Sequence, residues 1–178
     1  MTRGTMDADE ILQEASPVEH QHGHEIQPYG HLIKMPIALS HSACKESVEH
    51  LNQLLADTTP AADGVRHDSF TQAAALEYVQ AARPRVLYIS YGETDDWAHA
   101  GRYDHYLHSA QRFDRFTRQL WDAMQGTDQY RGKTTFVTTT DHGRGRGLTS
   151  WKSHGEKIPE SENIWIGVLG PDTPARGE

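Results

Sequence analysis

The spacing of hydrophobic and polar positions changes several times along the chain, and each change predicts a different element. Residues 43–56 and 71–82 carry apolar side chains at the three- and four-residue spacing of amphipathic helices. Residues 105–125 keep a similar spacing over the longest stretch, which predicts a helix laid across a sheet. A shorter helix is predicted over residues 7–15, where it would end before Pro17.

Three apolar or β-branched runs between and after these helices predict strands. Residues 86–89 follow Pro84 as a continuous apolar run, which is typical of an inner parallel strand covered on both faces. Residues 134–140 are β-branched almost throughout, and residues 164–169 are mostly apolar. The succession of strand, helix and strand predicts an α/β layered domain with right-handed crossovers.

Composition and charge restrict the classes of protein that fit this pattern. A chain of 178 residues is long enough for one domain with its own core. Its 17 basic and 25 acidic residues give a net charge of -8, which argues against binding to nucleic acids or membrane surfaces. The single cysteine, Cys44, fits a reducing compartment, and no apolar leader or spanning segment is visible. We therefore expect a soluble, cytoplasmic protein.

The twelve histidines of the chain are unevenly distributed. Three of them fall within residues 19–24, at His20, His22 and His24. This tract is either an additional metal site or a flexible polar segment. We favour the polar segment, because closely spaced histidines without a fixed scaffold bind metals loosely and without selectivity.

Metal-ligand residue types follow the first predicted strand. Asp95 and His99 are four residues apart, so one helical turn would place both side chains on the same side. Asp96, three residues before His99, is an alternative to Asp95 on spacing alone. Since open α/β sheets bind ligands at the carboxyl ends of their strands, this loop is the first candidate for a functional site.

Further ligand types lie near the other two predicted strands. Asp141 and His142 follow residues 134–140, and His154 precedes residues 164–169. One Asp-His pair after a strand is commonly a helix cap beside a surface histidine, but three such elements in one chain favour a site. Mixed aspartate and histidine ligands suit zinc or manganese better than calcium or magnesium. Together these residues predict two divalent metals that activate an oxygen nucleophile and stabilise a leaving oxygen.

Two arginines lie close to these ligands in the sequence. Arg144 and Arg146 alternate with glycines in residues 143–147. They are expected either to hold a phosphate or sulfate group by bidentate hydrogen bonds, or to lie in a solvated turn.

Three segments together resemble motifs of the alkaline phosphatase superfamily. Glu93-Thr-Asp-Asp-Trp-Ala-His99 is similar to its E-x-D-x-x-G-H loop, with Ala98 in place of the glycine. Thr140-Asp-His-Gly143 resembles its S/T-D-H-G loop, and Ser153-His-Gly155 matches a third motif. The group includes nucleotide pyrophosphatases and phosphodiesterases, sulfatases and cofactor-independent phosphoglycerate mutases.

The resemblance implies a fold and a metal centre. The fold would be a three-layer αβα domain with a mostly parallel sheet, in which residues 67–178 are the C-terminal part of a catalytic domain that is incomplete at its N-terminus. Residues 1–66, a polar, His-rich and helical segment, would be either a divergent part of that domain or not homologous to it. The metal ligands would be divided into a first site with Asp95, His99 and His154 and a second site with Asp141 and His142.

The resemblance also implies an activity. The chain would be a metal-dependent hydrolase-type domain, impaired if truncated, for small anionic phosphate or sulfate esters, with zinc preferred and manganese as the alternative metal. Relatives place a metal-binding aspartate and a serine or threonine nucleophile before the E-x-D loop. Asp63 with Ser69 or Thr71 resembles that arrangement only superficially, so no catalytic nucleophile is assigned. Two alternatives are a non-catalytic module that retains the fold and one metal site, and a site completed by another chain.

Overall fold

The structure is a computed structural model that describes residues 45–58 and 66–174. The chain forms two compact units, of which the first ends at Tyr91 and the second begins at Gly92. The predicted helix over residues 7–15, the histidine tract at residues 19–24 and Asp63 lie outside the described residues.

The first unit contains two helices, α1 (Lys45–Asp57) and α2 (Asp68–Ala82). Both were predicted from their apolar spacing, and α2 begins slightly earlier than expected. Ala74 of α2 is buried against a set of partly buried apolar side chains from the two helices, namely Leu51, Phe70, Tyr78 and Ala81. The helix α2 ends at Arg83, which adopts a left-handed conformation with φ 50° directly before Pro84.

The segment of residues 86–89 is not a strand, so the prediction of a buried inner parallel strand is wrong. Val86 is 55% exposed and Tyr88 is 78% exposed. An apolar run becomes a strand only when a neighbouring strand accepts and donates its backbone hydrogen bonds. Among the described residues, no strand pairs with this segment. Its end is tied to α2, because the Tyr91 hydroxyl donates a hydrogen bond of 2.6 Å to Gln72 Oε1.

Helices dominate the second unit, which contains α3 (Glu93–His99), α4 (Tyr103–Gln125) and the short α5 (Gly147–Ser150). The prediction of a long helix over residues 105–125 is confirmed by α4, whereas α5 was not expected. Gly101, with φ +70°, makes the turn between α3 and α4, where a Cβ atom would meet the Lys152 side chain. None of the helices in the described ranges combines the length and apolar character needed to cross a bilayer.

The buried face of α4 differs in part from the predicted one. Leu120 and Met124 were expected on the apolar face and are buried, but Ala110 is exposed. Ser109 and Phe116 are buried instead. The buried face of α4 differs from the predicted apolar face because α3 packs on α4 near Ser109. The spacing of apolar residues within α4 does not indicate this packing partner.

The second unit also contains two strands, β1 (Phe136–Thr139) and β2 (Ile166–Leu169), which pair antiparallel with Phe136 opposite Leu169. The prediction of a three-layer αβα domain with a mostly parallel sheet is wrong. About half of the described residues are helical, and their sheet has two strands only. A parallel pair needs a long crossover, usually a helix. The connection from β1 to β2 contains the four-residue α5 as its one helix, and the two strands pair antiparallel.

The two faces of this sheet have different surroundings. On one face, Phe136 packs edge-on against Trp121 of α4, with ring centroids 5.5 Å apart. On the other, Val137 and its cross-strand partner Val168 are exposed, as is Ile166 opposite Thr139. We call Val137, Ile166 and Val168 the exposed sheet face.

Candidate metal centre

The helix α3 places the first two predicted ligands together. Gly92 is its N-cap residue, and Asp95 and His99 lie one turn apart on the same side of the helix. His99 Nε2 is 3.4 Å from Asp95 Oδ2. The prediction that a helical turn brings these two side chains together is confirmed.

A buried ion pair anchors α3 on α4. The Glu93 side chain is fully buried, and its Oε2 lies 2.6 Å from Arg112 Nη2. The same arginine nitrogen donates a hydrogen bond of 2.9 Å to the hydroxyl of Ser109, which is also fully buried. Since a buried carboxylate is tolerated only with a partner for its charge, this pair fixes α3 to α4 and so orients the ligands that α3 carries.

His154 reaches the same place from a segment far along the chain. Its Nε2 is 3.0 Å from His99 Nε2 and 3.6 Å from Asp95 Oδ1. One ligand atom from each of Asp95, His99 and His154 lies within 4.8 Å of the other two. These are the three residues that the resemblance assigned to the first metal.

Two glycines hold the backbone that carries His142 and Arg144. The Gly143 amide donates to the Ser161 carbonyl at 2.7 Å, and the Gly145 amide donates to the Ser153 carbonyl at 3.1 Å. A Cβ atom at Gly145 would stand 2.6 Å from the Ser150 carbonyl oxygen, and one at Gly143 would clash with two backbone carbonyls. The glycines therefore permit close backbone packing beside the site.

His142 lies beside His154, with ring centroids 3.7 Å apart and planes inclined by only 14°. Its Nδ1 is 2.9 Å from the Gly143 carbonyl oxygen. In the neutral tautomer that donates through Nδ1 to this carbonyl, Nε2 has a lone pair for a ligand or a proton. That Nε2 lies 3.6 Å from Asp95 Oδ1.

Asp141 stands apart from this group. Its side chain is 84% exposed, and its Oδ1 accepts a hydrogen bond of 3.1 Å from the His142 amide. The same oxygen is 3.7 Å from His142 Nε2. Asp141 and His142 are therefore near each other, and their assignment to a second metal stays a prediction.

The two arginines of the glycine loop have different partners. Arg144 is only 14% exposed in its side chain and forms an ion pair with Asp95 Oδ1. Its Nη2 also donates to the Asp95 carbonyl at 3.2 Å, and its Nη1 donates to the Trp151 carbonyl at 3.5 Å. Arg146 is exposed and pairs with Glu160. Only Arg144 lies at the cluster, and the binding of phosphate or sulfate by either arginine stays a prediction.

The electrostatic surroundings favour the metal-binding form of His154. Burial lowers the pKa of His154 below its usual value, and the nearby His142, His99 and Arg144 lower it further. A histidine binds a metal as the neutral imidazole, so a lowered pKa keeps it ready for ligation. Burial also lowers the pKa of Arg144, although a guanidinium remains a cation in proteins.

The donor set of the cluster fits zinc. Bonds of about 2.0–2.2 Å to nitrogen and oxygen in a tetrahedron put neighbouring ligand atoms about 3.3–3.6 Å apart. His99 Nε2 is 3.0 Å from His154 Nε2 and 3.4 Å from Asp95 Oδ2, close to these separations. Three protein ligands with one open position are also the usual composition of a catalytic zinc site.

An open pocket of about 560 Å³ adjoins the cluster. His142 and His154 line one part of it, and residues 155–159 with Ser161 and Glu162 line the rest. The pocket therefore gives a small molecule access to two of the imidazoles. Lys157 is the cationic side chain in this lining.

Other residues that the sequence suggested lie elsewhere. Ser69 and Thr71 are on α2 of the first unit, and neither is assigned as a nucleophile. Asp96, the alternative to Asp95, is not in the group whose ligand atoms converge among the described residues.

The sequence analysis did not identify the partners of Arg112 and Arg144. Arg112 is in phase with Ser109, Phe116 and Leu120, the buried stripe of α4. A charged residue at such a position indicates a buried counter-charge, so this signal was present in the sequence. No comparable signal joined Arg144 to Asp95, which is 49 residues away.

Comparisons with known proteins show no family. No protein-family model matches the chain, and no solved structure matches it. A stretch of 44 residues is 50% identical to an uncharacterized protein in the bpoA2 5' region of Kitasatospora aureofaciens. The stretch covers 25% of this chain and 29% of that protein, so the chain spans less than a third of that relative.

Proposed function

We propose that the second unit is the metal-binding part of a hydrolase-type protein that acts on phosphate or sulfate esters. In this proposal Asp95, His99 and His154 bind a divalent cation, with zinc preferred and manganese as the alternative. The observation that carries the proposal is the convergence of these three ligand atoms within 4.8 Å, from α3 and from a segment 55 residues further along the chain. The resemblance of the surrounding motifs to the alkaline phosphatase superfamily supports the ester chemistry.

The neighbouring residues have properties that such a reaction needs. A cation held by Asp95, His99 and His154 would supply Lewis-acid polarisation of the ester. The Nε2 lone pair of His142 is beside the cluster and is suited to accept a proton from an attacking hydroxyl. The pocket lined by His142 and His154 offers space for a small ester, and its lining combines Lys157 with the carboxylates Glu156 and Glu162.

Metal titration of the full chain tests the proposed site. Because the histidine tract binds metals weakly, the experiment uses a chain with His20→Ala, His22→Ala and His24→Ala, which we call the tract-silenced chain. We expect this chain to bind zinc or manganese at a stoichiometric site, measured by calorimetry. His154→Ala should abolish that binding, because it removes one of three ligands, whereas His108→Ala removes an exposed imidazole elsewhere on α4 and should change nothing. Absence of a stoichiometric site in the tract-silenced chain would refute the proposal.

A non-catalytic metal-binding or interaction module is the second candidate. The exposed sheet face favours it, since contiguous exposed apolar side chains mark surfaces that bind other proteins. Turnover of p-nitrophenyl phosphate, bis-p-nitrophenyl phosphate and p-nitrophenyl sulfate with added zinc or manganese separates the two candidates. Hydrolysis that is lost in His154→Ala and retained in His108→Ala supports the hydrolase, whereas metal binding without turnover of any of the three substrates supports the module.

A further inference from the structure

The second predicted metal has too few converging ligands in the structure. His142 offers its Nε2, but the carboxylate of Asp141 is exposed and bonded to the backbone of its own neighbour. Two carboxylate oxygens lie near His142 Nε2, Asp95 Oδ1 at 3.6 Å and Asp141 Oδ1 at 3.7 Å, so a site of three protein ligands at His142 would need both. A second cation would therefore depend on Asp95 as a ligand shared with the first.

That shared oxygen already has a cationic partner. The guanidinium of Arg144 pairs with Asp95 Oδ1, the oxygen that faces His142 and His154. Two backbone carbonyls, of Asp95 and Trp151, accept hydrogen bonds from the same guanidinium and fix its position. The guanidinium therefore contacts three oxygens through its two terminal nitrogens, and the largely buried side chain cannot move away without losing them.

The charges around the cluster also disfavour a second divalent cation. Asp95 is the carboxylate within 3.6 Å of all three imidazoles, and the guanidinium of Arg144 already pairs with it. A second divalent cation would lie beside a fixed positive group in a partly buried place, where repulsion is weakly screened.

We infer that Arg144 takes the place of the second cation, so that the chain binds one divalent ion and not two. The ion is held by Asp95, His99 and His154, while Arg144 neutralises the other oxygen of Asp95. This inference rests on the proposed metal site and specifies its composition. It also gives Arg144 a role at the carboxylate in place of the predicted role as a phosphate ligand.

Stoichiometry in the tract-silenced chain is the direct test. Calorimetry with zinc, and elemental analysis of protein dialysed against excess zinc, should give one ion per chain. Two ions per chain would overturn the inference but not the proposed metal site, whereas no bound ion would refute the proposed site itself. The readout needs no catalytic activity, so it is independent of which ester the protein hydrolyses.

Substitution of Arg144 provides the second test. Arg144→Gln removes the charge beside Asp95, so the single site should bind zinc about tenfold more tightly or better. Arg144→Lys retains the charge and should stay near the affinity of the unsubstituted chain. Arg118→Gln, which removes an exposed arginine paired with Asp122 on α4, is the matched control and should have no effect. If Arg144→Gln weakens zinc binding in a chain whose circular dichroism is unchanged, the guanidinium is not a substitute for a cation and the inference is wrong.

Discussion

The second unit differs in what it buries at its helices α3 and α4, the helical end, and at its strands β1 and β2, the sheet end. At the helical end, Glu93 is fully buried with its charge paired to Arg112. At the sheet end, Val137 is 65% exposed although it lies in a strand that is rich in β-branched residues. A charged side chain is thus inside and an apolar one outside, within the same unit.

The contrast shows that burial depends on partners more than on the apolar character of a residue. Arg112 comes from the neighbouring helix and compensates the charge of Glu93, so the carboxylate is accommodated. No strand or helix among the described residues covers the exposed sheet face, so its side chains stay in contact with solvent. The candidate metal centre lies with α3, on the side where the packing partners are present.

The largest effect is expected from removing an apolar side chain at the helical end. Phe116→Ala empties a buried position on α4 and should lower the free energy of unfolding by about 3–5 kcal/mol. Urea denaturation followed by circular dichroism measures the change. A loss below about 1 kcal/mol would mean that this end is not the packed core of the unit.

The second-largest effect is expected from breaking the buried ion pair between Glu93 and Arg112. Glu93→Gln leaves Arg112 without its counter-charge, and we expect the free energy of unfolding to fall by about 3 kcal/mol. This value is at the lower end of the range for buried ion pairs, because Arg112 is partly exposed. Zinc affinity of the tract-silenced chain should fall with it, since α3 carries Asp95 and His99.

A matched pair on the surface of the same helix provides the control. Asp122→Asn breaks the exposed pair with Arg118 and should change the free energy of unfolding by about 0.5 kcal/mol or less. Equal losses for Glu93→Gln and Asp122→Asn would remove the distinction between buried and exposed charges on α4.

The pH dependence of metal binding should be a more moderate effect. Protonation of an imidazole competes with the metal, so zinc affinity should be constant above the histidine pKa values and fall below them. Each histidine that must lose a proton contributes about tenfold per pH unit. Because burial and neighbouring charges lower the pKa of His154, its contribution should begin below its usual value of about 6.5. An affinity that is unchanged between about pH 5 and 8 would argue against histidine ligation.

The smallest effect is expected at the exposed sheet face. Val137→Thr keeps the β-branched shape at a position that is already in contact with solvent, so stability should change by about 0.5 kcal/mol or less. A loss comparable to that of Phe116→Ala, measured by the same urea denaturation, would show that this face is covered in solution and would end the contrast between the two regions.

Local spacing in the sequence predicted the helices well. α1, α2 and α4 follow the three- and four-residue repeats that predicted them, because helical hydrogen bonds form within one segment. The turn that pairs Asp95 with His99 was predicted for the same reason. The two strands were also located, within a few residues, by their β-branched and apolar composition.

The sheet arrangement and the exposure of Val86 and Tyr88 were not predicted, because strand pairing joins residues that are distant in sequence. Antiparallel pairing of β1 with β2 depends on the connection between them, which lacks the crossover helix that a parallel arrangement needs. Apolar character at residues 86–89 predicted burial, but no neighbouring strand in the described ranges provides it.

The sequence by itself identified the candidate ligands by their residue types: an aspartate and a histidine one turn apart on α3, and a further histidine, His154. Only the tertiary structure decided that His154 meets His99 and Asp95, that Glu93 is anchored by Arg112, and that Arg144 pairs with Asp95. The physical reason is that ligand identity is a local property of side chains, whereas convergence and charge compensation arise from contacts between segments that the chain brings together on folding.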